Sequence, residues 1–220
     1  MISWFTQFLF PDFCVICGEN GKLLCKSCKE TKLKLYYKFM CHVCGAESGV
    51  DGEFVCVNCK DKTSLDGVFV VAHYNNCAKA LVEEMKYNFY YAISRDIGDM
   101  MKDKLLETNI TYDMLVPVPL HKFKYNFRGF NQAELLAKQI SINTDDCIIR
   151  TKNTKSQVGL NANQRKENLK EVFSLKRTIK YKSVVLVDDV MTTGTTLEEC
   201  AKVLKQAGVE KVYGLVFARD

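Results

Sequence analysis

Between Val184 and Thr196 the chain reads VVLVDDVMTTGTT, a stretch that leaves the backbone little choice. Val184, Val185, Leu186 and Val187 are consecutive apolar residues, mostly β-branched. A strand without polar alternation is buried on both faces, as in a parallel sheet covered by helices. Asp188 and Asp189 follow at the carboxyl end of this run, where open α/β sheets bind ligands. The continuation TTGTTLEECAKVLKQAG reads as a tight loop and then a helix. Leu197, Cys200, Ala201 and Leu204 fall at helical spacing, and Gly208 supplies a stop. Such a strand, loop and helix start can cradle an anion, because first-turn N–H groups and the positive end of the helix dipole face it. Acid pairs and threonine clusters also occur in ordinary turns.

The rest of the chain after Cys59 has the same texture. GVFVVAHY (residues 67–74) and DMLVPVPL (113–120) read as strands, the second ended by Pro117 and Pro119. CAKALVEEMKY, YAISRDIGDMMKDKLLE and FNQAELLAKQI carry apolar residues three and four apart and read as helices. DCIIR and KVYGLVFAR read as further strands. Strands alternating with helices predict an α/β fold with a mostly parallel sheet flanked by helices, over residues 63–220.

Residues 1–62 are different. Eight of the 11 cysteines form four C-x-x-C units: Cys14/Cys17, Cys25/Cys28, Cys41/Cys44 and Cys56/Cys59. Each unit can place two thiolates on one metal, and two units complete a tetrahedral zinc site. A redox motif or an iron–sulfur cluster is the competing chemistry. Sequential pairing gives two tandem ribbons, Cys14, Cys17, Cys25 and Cys28 and then Cys41, Cys44, Cys56 and Cys59; interleaved pairing gives a cross-brace. The sequential form closes shorter loops. Gly18 and Gly45 directly follow a C-x-x-C unit, where a knuckle needs positive φ. Two structural zinc ions are expected, and they would help fold a region with little core. Cys77, Cys147 and Cys200 sit in apolar patterns and are expected to be small buried hydrophobes.

Of 220 residues, 47% are hydrophobic, which is ample for a core. No apolar run approaches the roughly 20 residues needed to span a bilayer. The opening MISWFTQFLF lacks the flank and cleavage site of a signal peptide, so a packed helix and a soluble, cytoplasmic chain are expected. The net charge of +5 is unevenly spread: residues 121–182 carry 14 Lys/Arg against 5 Asp/Glu. That excess suits a polyanionic ligand or a solvated face. Between the cysteine pairs, Lys29, Lys32 and Lys34 precede Tyr36 and Tyr37. Interleaved cations and aromatics can track a nucleic-acid strand; the alternative is a linker helix with solvated lysines and buried rings.

The string VVLVDDVMTTGTT resembles the PRPP (5-phosphoribosyl-1-pyrophosphate) signature of type I phosphoribosyltransferases. Together with PVPLH, RGFNQA, SQVGLNANQRKENLKEVF and the cysteine ribbons, the chain resembles the ComF family across nearly its whole length. The resemblance implies a type I phosphoribosyltransferase-like domain behind an N-terminal double zinc ribbon. It implies that Asp188 and Asp189 hold ribose hydroxyls and that Thr192, Thr193, Gly194, Thr195 and Thr196 hold the 5′-phosphate. Leu120, His121 and Arg128 match the pyrophosphate region; His121 could instead cap its loop. Gln157, Arg165 and Asn168 match the flexible loop that closes over PRPP, with Mg²⁺ accompanying the ligand. The family further implies a part in natural competence, handling incoming single-stranded DNA beside a ComF-operon helicase. A phosphoribosyltransferase active on an unknown acceptor is the other reading. No segment resembles a nucleobase hood.

Overall fold

The computed structural model describes residues 12–87, 92–151 and 172–220. The N-terminal decapeptide and the segment holding Gln157, Arg165 and Asn168 lie outside them.

The two cysteine ribbons repeat one local geometry. In each, the residue after the first C-x-x-C is a left-handed glycine, Gly18 at φ +76° and Gly45 at φ +75°. Each donates back to the first cysteine's carbonyl, Gly18 to Cys14 and Gly45 to Cys41, both at 2.8 Å. The chain then turns through bridges Phe13–Asn20 and Met40–Glu47. The first ribbon continues into helix α1 (Lys26–Thr31), and the second ends in a 3₁₀ turn, Val57–Lys62.

The segment between the ribbons is not a linker helix. After α1 it runs extended along an edge of the main sheet, with Leu35 bridged to Ala72. His73 N donates to Lys34 O and Tyr36 N to Val71 O, each at 2.8 Å. It thereby protects strand β1 (Gly67–His73), whose open N–H and C=O groups would otherwise invite foreign pairing.

The larger part adds α2 (Asn76–Tyr87), α3 (Ile93–Leu106), β2 (Met114–Pro117), α4 (Lys122–Arg128) and α5 (Gln132–Ile140). It continues with β3 (Ile148–Arg150), β4 (Phe173–Leu175), β5 (Ser183–Met191), α6 (Thr195–Gln206) and β6 (Lys211–Arg219). The sheet is parallel with strand order β1-β6-β5-β2. DCIIR does form a strand, but outside that sheet: β3 pairs antiparallel with β4.

The apolar run of β5 is fully buried, as its lack of alternation requires. Val185 and Val187 face a core shared with α2, α3 and α5. Val184 and Leu186 face the opposite core, shared with α6 and the β3–β4 pair. Cys77 joins the first core and Cys147 and Cys200 the second, all buried. The first core also takes in Leu23, Leu24, Leu33 and Phe54 of the ribbon region. Phe54 meets Phe69 of β1 edge-on at 4.8 Å between ring centroids. The ribbons are therefore packed into the sheet's own core.

Candidate functional site

The acid pair sits where the sheet narrows. Pairing of β2 with β5 stops at Pro117–Val187, whereas β5 runs on beside β6 to Met191. Asp188 and Asp189 thus lie inside β5, three and two residues before its end, on the part that β2 leaves uncovered. Strand alternation sends the two side chains to opposite faces. Asp189 continues the row of Val185 and Val187, and Asp188 that of Val184 and Leu186.

The two carboxylates consequently have different partners. Asp189 is 3% exposed and ion-paired to Lys86, the penultimate residue of α2. Gln132 Nε2, at the first position of α5, donates to its other oxygen at 3.5 Å. Burial would raise the Asp189 pKa, but the Lys86 charge outweighs it and holds the carboxyl below its ordinary value. Burial would likewise lower Lys86, and Asp189 holds it above the usual lysine range. Asp188 is half-buried, and its Oδ1 accepts from Asp189 N at 2.9 Å. Burial, followed by the charge of Asp189, pushes it well above the ordinary aspartate range.

Cations gather around this pair. Arg128, near the end of α4, lies 5.0 Å from the Tyr87 ring centroid and donates to Gln132 Oε1 at 3.2 Å. Its guanidinium therefore buttresses the residue that holds Asp189. Arg150 leaves β3 over the Phe173 ring. Lys124 is lowered by burial and then by the nearby charges of Arg128, Arg150 and Lys86. Of these four cations only Arg128 is marked by the sequence motifs. Lys86, Lys124 and Arg150 are ordinary residues of an amphipathic helix, a short basic helix and a short strand until the topology brings them together.

The threonine loop follows. Gly194 takes a left-handed conformation, φ +75°, directly before α6. Its carbonyl accepts from Glu198 N at 3.0 Å, which closes the first turn. Thr192 and Thr193 are exposed, and Gly194, Thr195 and Thr196 half-buried. The Thr193 and Thr195 hydroxyls share a hydrogen bond at 2.7 Å. On the β2 side, Leu120 is half-buried. His121 is the N-cap of α4, its Nδ1 accepting from Phe123 N at 3.1 Å.

The cysteines assemble sequentially. The sulfurs of Cys14, Cys17, Cys25 and Cys28 lie within 4.8 Å of one another, as do those of Cys41, Cys44, Cys56 and Cys59. Cys17 and Cys25 are 3.6 Å apart and Cys44 and Cys56 3.5 Å. Four sulfurs about 2.3 Å from one tetrahedral zinc would be about 3.8 Å apart, so both clusters fit that ion. The donors suit it also. Burial opposes ionisation of Cys14 and Cys41, but main-chain N–H groups outweigh it and bring both thiols to about 6. Cys28, through burial and then its neighbouring sulfurs, is pushed up to about 12. Cys59, through Cys56 and then burial, reaches about 12 as well. A divalent cation relieves such crowding of thiolates.

The second ribbon reaches the start of α6. His42 Nε2 lies 3.0 Å from Thr63 Oγ1, which donates to Glu198 Oε2 at 2.6 Å. Ser64 N donates to Glu198 Oε1 at 2.9 Å. Burial takes His42 down to about 4, so it is neutral in this chain.

The residues singled out between the ribbons divide. Lys29, Lys32, Lys34 and Tyr37 are exposed, Tyr37 by 86%. Tyr36 is half-buried, its ring stacked on His73 at 3.8 Å between centroids. Among the described residues no helix is long and apolar enough to cross a membrane.

A parallel sheet with an acid pair and threonine loop at its carboxyl edge, behind two four-cysteine ribbons, defines a phosphoribosyltransferase-type protein with a zinc-ribbon front. Comparison with known proteins agrees. Residues 88–220 match the phosphoribosyl transferase domain and residues 5–60 the double zinc ribbon domain. Competence protein F of Haemophilus influenzae is 34% identical over 216 residues, covering 91% of this chain and 92% of that protein. DNA utilization protein YhgH of Escherichia coli is 32% identical over 152 residues, covering 64% and 67%. Competence protein ComFC of Bacillus subtilis is 29% identical over 224 residues, covering 94% and 85%. The chain belongs to the ComF family of competence proteins.

Proposed function

We propose that the carboxyl edge of this sheet binds PRPP and that the protein handles incoming single-stranded DNA in natural competence. The observation that carries the ligand reading is the position of Asp188 and Asp189. The threonine loop and first turn of α6 follow them directly in the chain, and Lys86, Lys124 and Arg128 cluster beside Asp189. A sugar bearing phosphates at both ends matches that order of charges. Ribose hydroxyls would donate to the acid pair, with Asp188 the more available acceptor because Lys86 occupies Asp189. The 5′-phosphate would lie against residues 192–196, where N–H groups of the first turn point outward. The pyrophosphate would meet Leu120, His121 and Arg128, with Gln157, Arg165 and Asn168 contributing from their segment. Mg²⁺ bound with PRPP would offset the pyrophosphate charge, held largely by ligand oxygens and water.

The names of the relatives, competence protein F and DNA utilization protein, support the DNA part of the reading. So do the exposed Lys29, Lys32, Lys34 and Tyr37, which offer charge and one free ring to a strand; Tyr36 would act through its backbone and its stack on His73. A helicase of the same operon is a natural partner for that task. Melting curves with PRPP and Mg²⁺ test the ligand. PRPP should raise the melting temperature, ribose 5-phosphate should compete, and a nucleoside without phosphate should do nothing. Pyrophosphate release in the same mixture, with candidate acceptors added, separates turnover from binding. Stabilisation by the nucleoside alone would remove the phosphate loop from the account.

A further inference from the structure

Helix α4 buries none of its seven residues. Its sequence, KFKYNFR, alternates cations with aromatic rings. Phe123 is 72% exposed, Phe127 76% and Tyr125 45%. Aromatic area left in water at this density marks a contact surface. The spacing orders it. Phe123 and Phe127 are four residues apart and share one stripe, while Lys124 and Arg128 form the adjoining stripe. The cationic stripe borders the acid pair, since Arg128 holds Gln132 and Gln132 reaches Asp189. The aromatic stripe therefore adjoins the cationic stripe that borders the acid pair.

We propose that α4 is a stacking platform for single-stranded nucleic acid, with bases on Phe123 and Phe127 and phosphates on Lys122 and Lys124. The inference rests on the proposed DNA-handling reading and gives it a location. It adds a contact for the strand on the β2 side of the sheet, apart from the Lys29–Tyr37 stretch on the β1 edge. Charge selects the occupant. The helix carries no carboxylate, and residues 121–182 hold 14 Lys/Arg against 5 Asp/Glu. Protein–protein interface cores are depleted in lysine, whereas here Lys122 and Lys124 flank Phe123. Every base offers a π-face to the rings, so binding is indifferent to sequence.

The test is fluorescence anisotropy of a labelled oligo-dT with the full chain. Wild type should bind. Phe123→Ala/Phe127→Ala should bind at least about 30-fold more weakly, from two lost stacks, with an unchanged salt slope and unchanged PRPP-induced stabilisation. Both rings are exposed, so the variant should melt with wild type, and Phe123→Tyr/Phe127→Tyr should restore affinity. Lys122→Gln/Lys124→Gln should flatten the salt slope by about 1.4, for two contacts to a single strand. Equal binding by wild type and the double alanine variant overturns this inference alone and leaves DNA handling standing. No binding by wild type overturns the DNA reading as well, but not PRPP binding. Oligonucleotide-independent self-association, or sedimentation with anionic vesicles, abolished by the alanine pair also overturns it by giving the surface another occupant.

Discussion

The sharpest consequence of the site geometry is that Lys86 supports a buried charge. In Lys86→Met the Asp189 carboxylate, 4% exposed at its side chain, would lose its countercharge and keep only neutral support such as the Gln132 contact at 3.5 Å. Removing one member of a buried ion pair costs about 3–5 kcal/mol, because the other charge stays desolvated. For a chain of this size each kcal/mol moves the melting temperature by about 2–4 °C, so the variant should melt roughly 6–20 °C lower near neutral pH. The pH dependence identifies the cause. In wild type, Lys86 holds Asp189 below its ordinary value, so its contribution is present above the unfolded-state pKa and lost as pH falls through the folded one. Without Lys86, burial pushes Asp189 above its unfolded value, and the carboxylate then destabilises the fold at high pH. The deficit should therefore shrink as the pH is lowered from 8 towards 5. Lys86→Met/Asp189→Asn should recover most of the loss, since no unpaired charge remains. Thermal melts of the three proteins across that range decide the matter. A loss below about 1 kcal/mol, or a deficit that grows on acidification, would refute the reasoning.

Two further predictions follow from the clusters and the opposite end of the sheet. Purified protein should carry two zinc ions per chain, one for each four-cysteine cluster. Cys41→Ser should carry one and loosen the second ribbon, as read by elemental analysis and limited proteolysis. Asp66 accepts from Lys205, Lys211 and Val212 N. Burial opposes its ionisation, but these donors outweigh it and hold it below the ordinary range. Its stabilisation is thus present above the unfolded value of about 3.9 and disappears as pH falls through the folded value. Asp66→Asn should melt below wild type at neutral pH, and the gap should close as the pH is taken from 4 towards 3.

What the sequence made legible was whatever local pattern governs. The Val184–Val187 run dictated a strand buried on both faces, and four C-x-x-C units dictated the clusters. Short loops favoured their sequential pairing over an interleaved one, Gly18 and Gly45 marked the knuckles, and the structure shows the sequential form. What stayed hidden depends on contacts between elements distant in sequence. Lys86 is an unmarked residue near the end of an amphipathic helix, and only the β1-β6-β5-β2 order brings it to Asp189. The Lys/Tyr stretch is extended because the β1 edge needs a partner, a requirement no local propensity records. DCIIR was legible as strand β3, but its antiparallel partner β4 was not: three-residue strands carry too little period to place. The adjacent acids looked equivalent, yet strand alternation sends them to opposite faces and opposite pKa shifts.

The central claim is that the acid pair and threonine loop hold PRPP, and calorimetric titration of PRPP with Mg²⁺ tests it most directly. Wild type should bind saturably with one site per chain. Asp188→Asn/Asp189→Asn should lose two hydrogen bonds to charged acceptors, roughly 3–6 kcal/mol or more than about 100-fold in affinity. The zinc content should stay unchanged. Equal affinity in the two proteins, or no heat from wild type, would contradict the account.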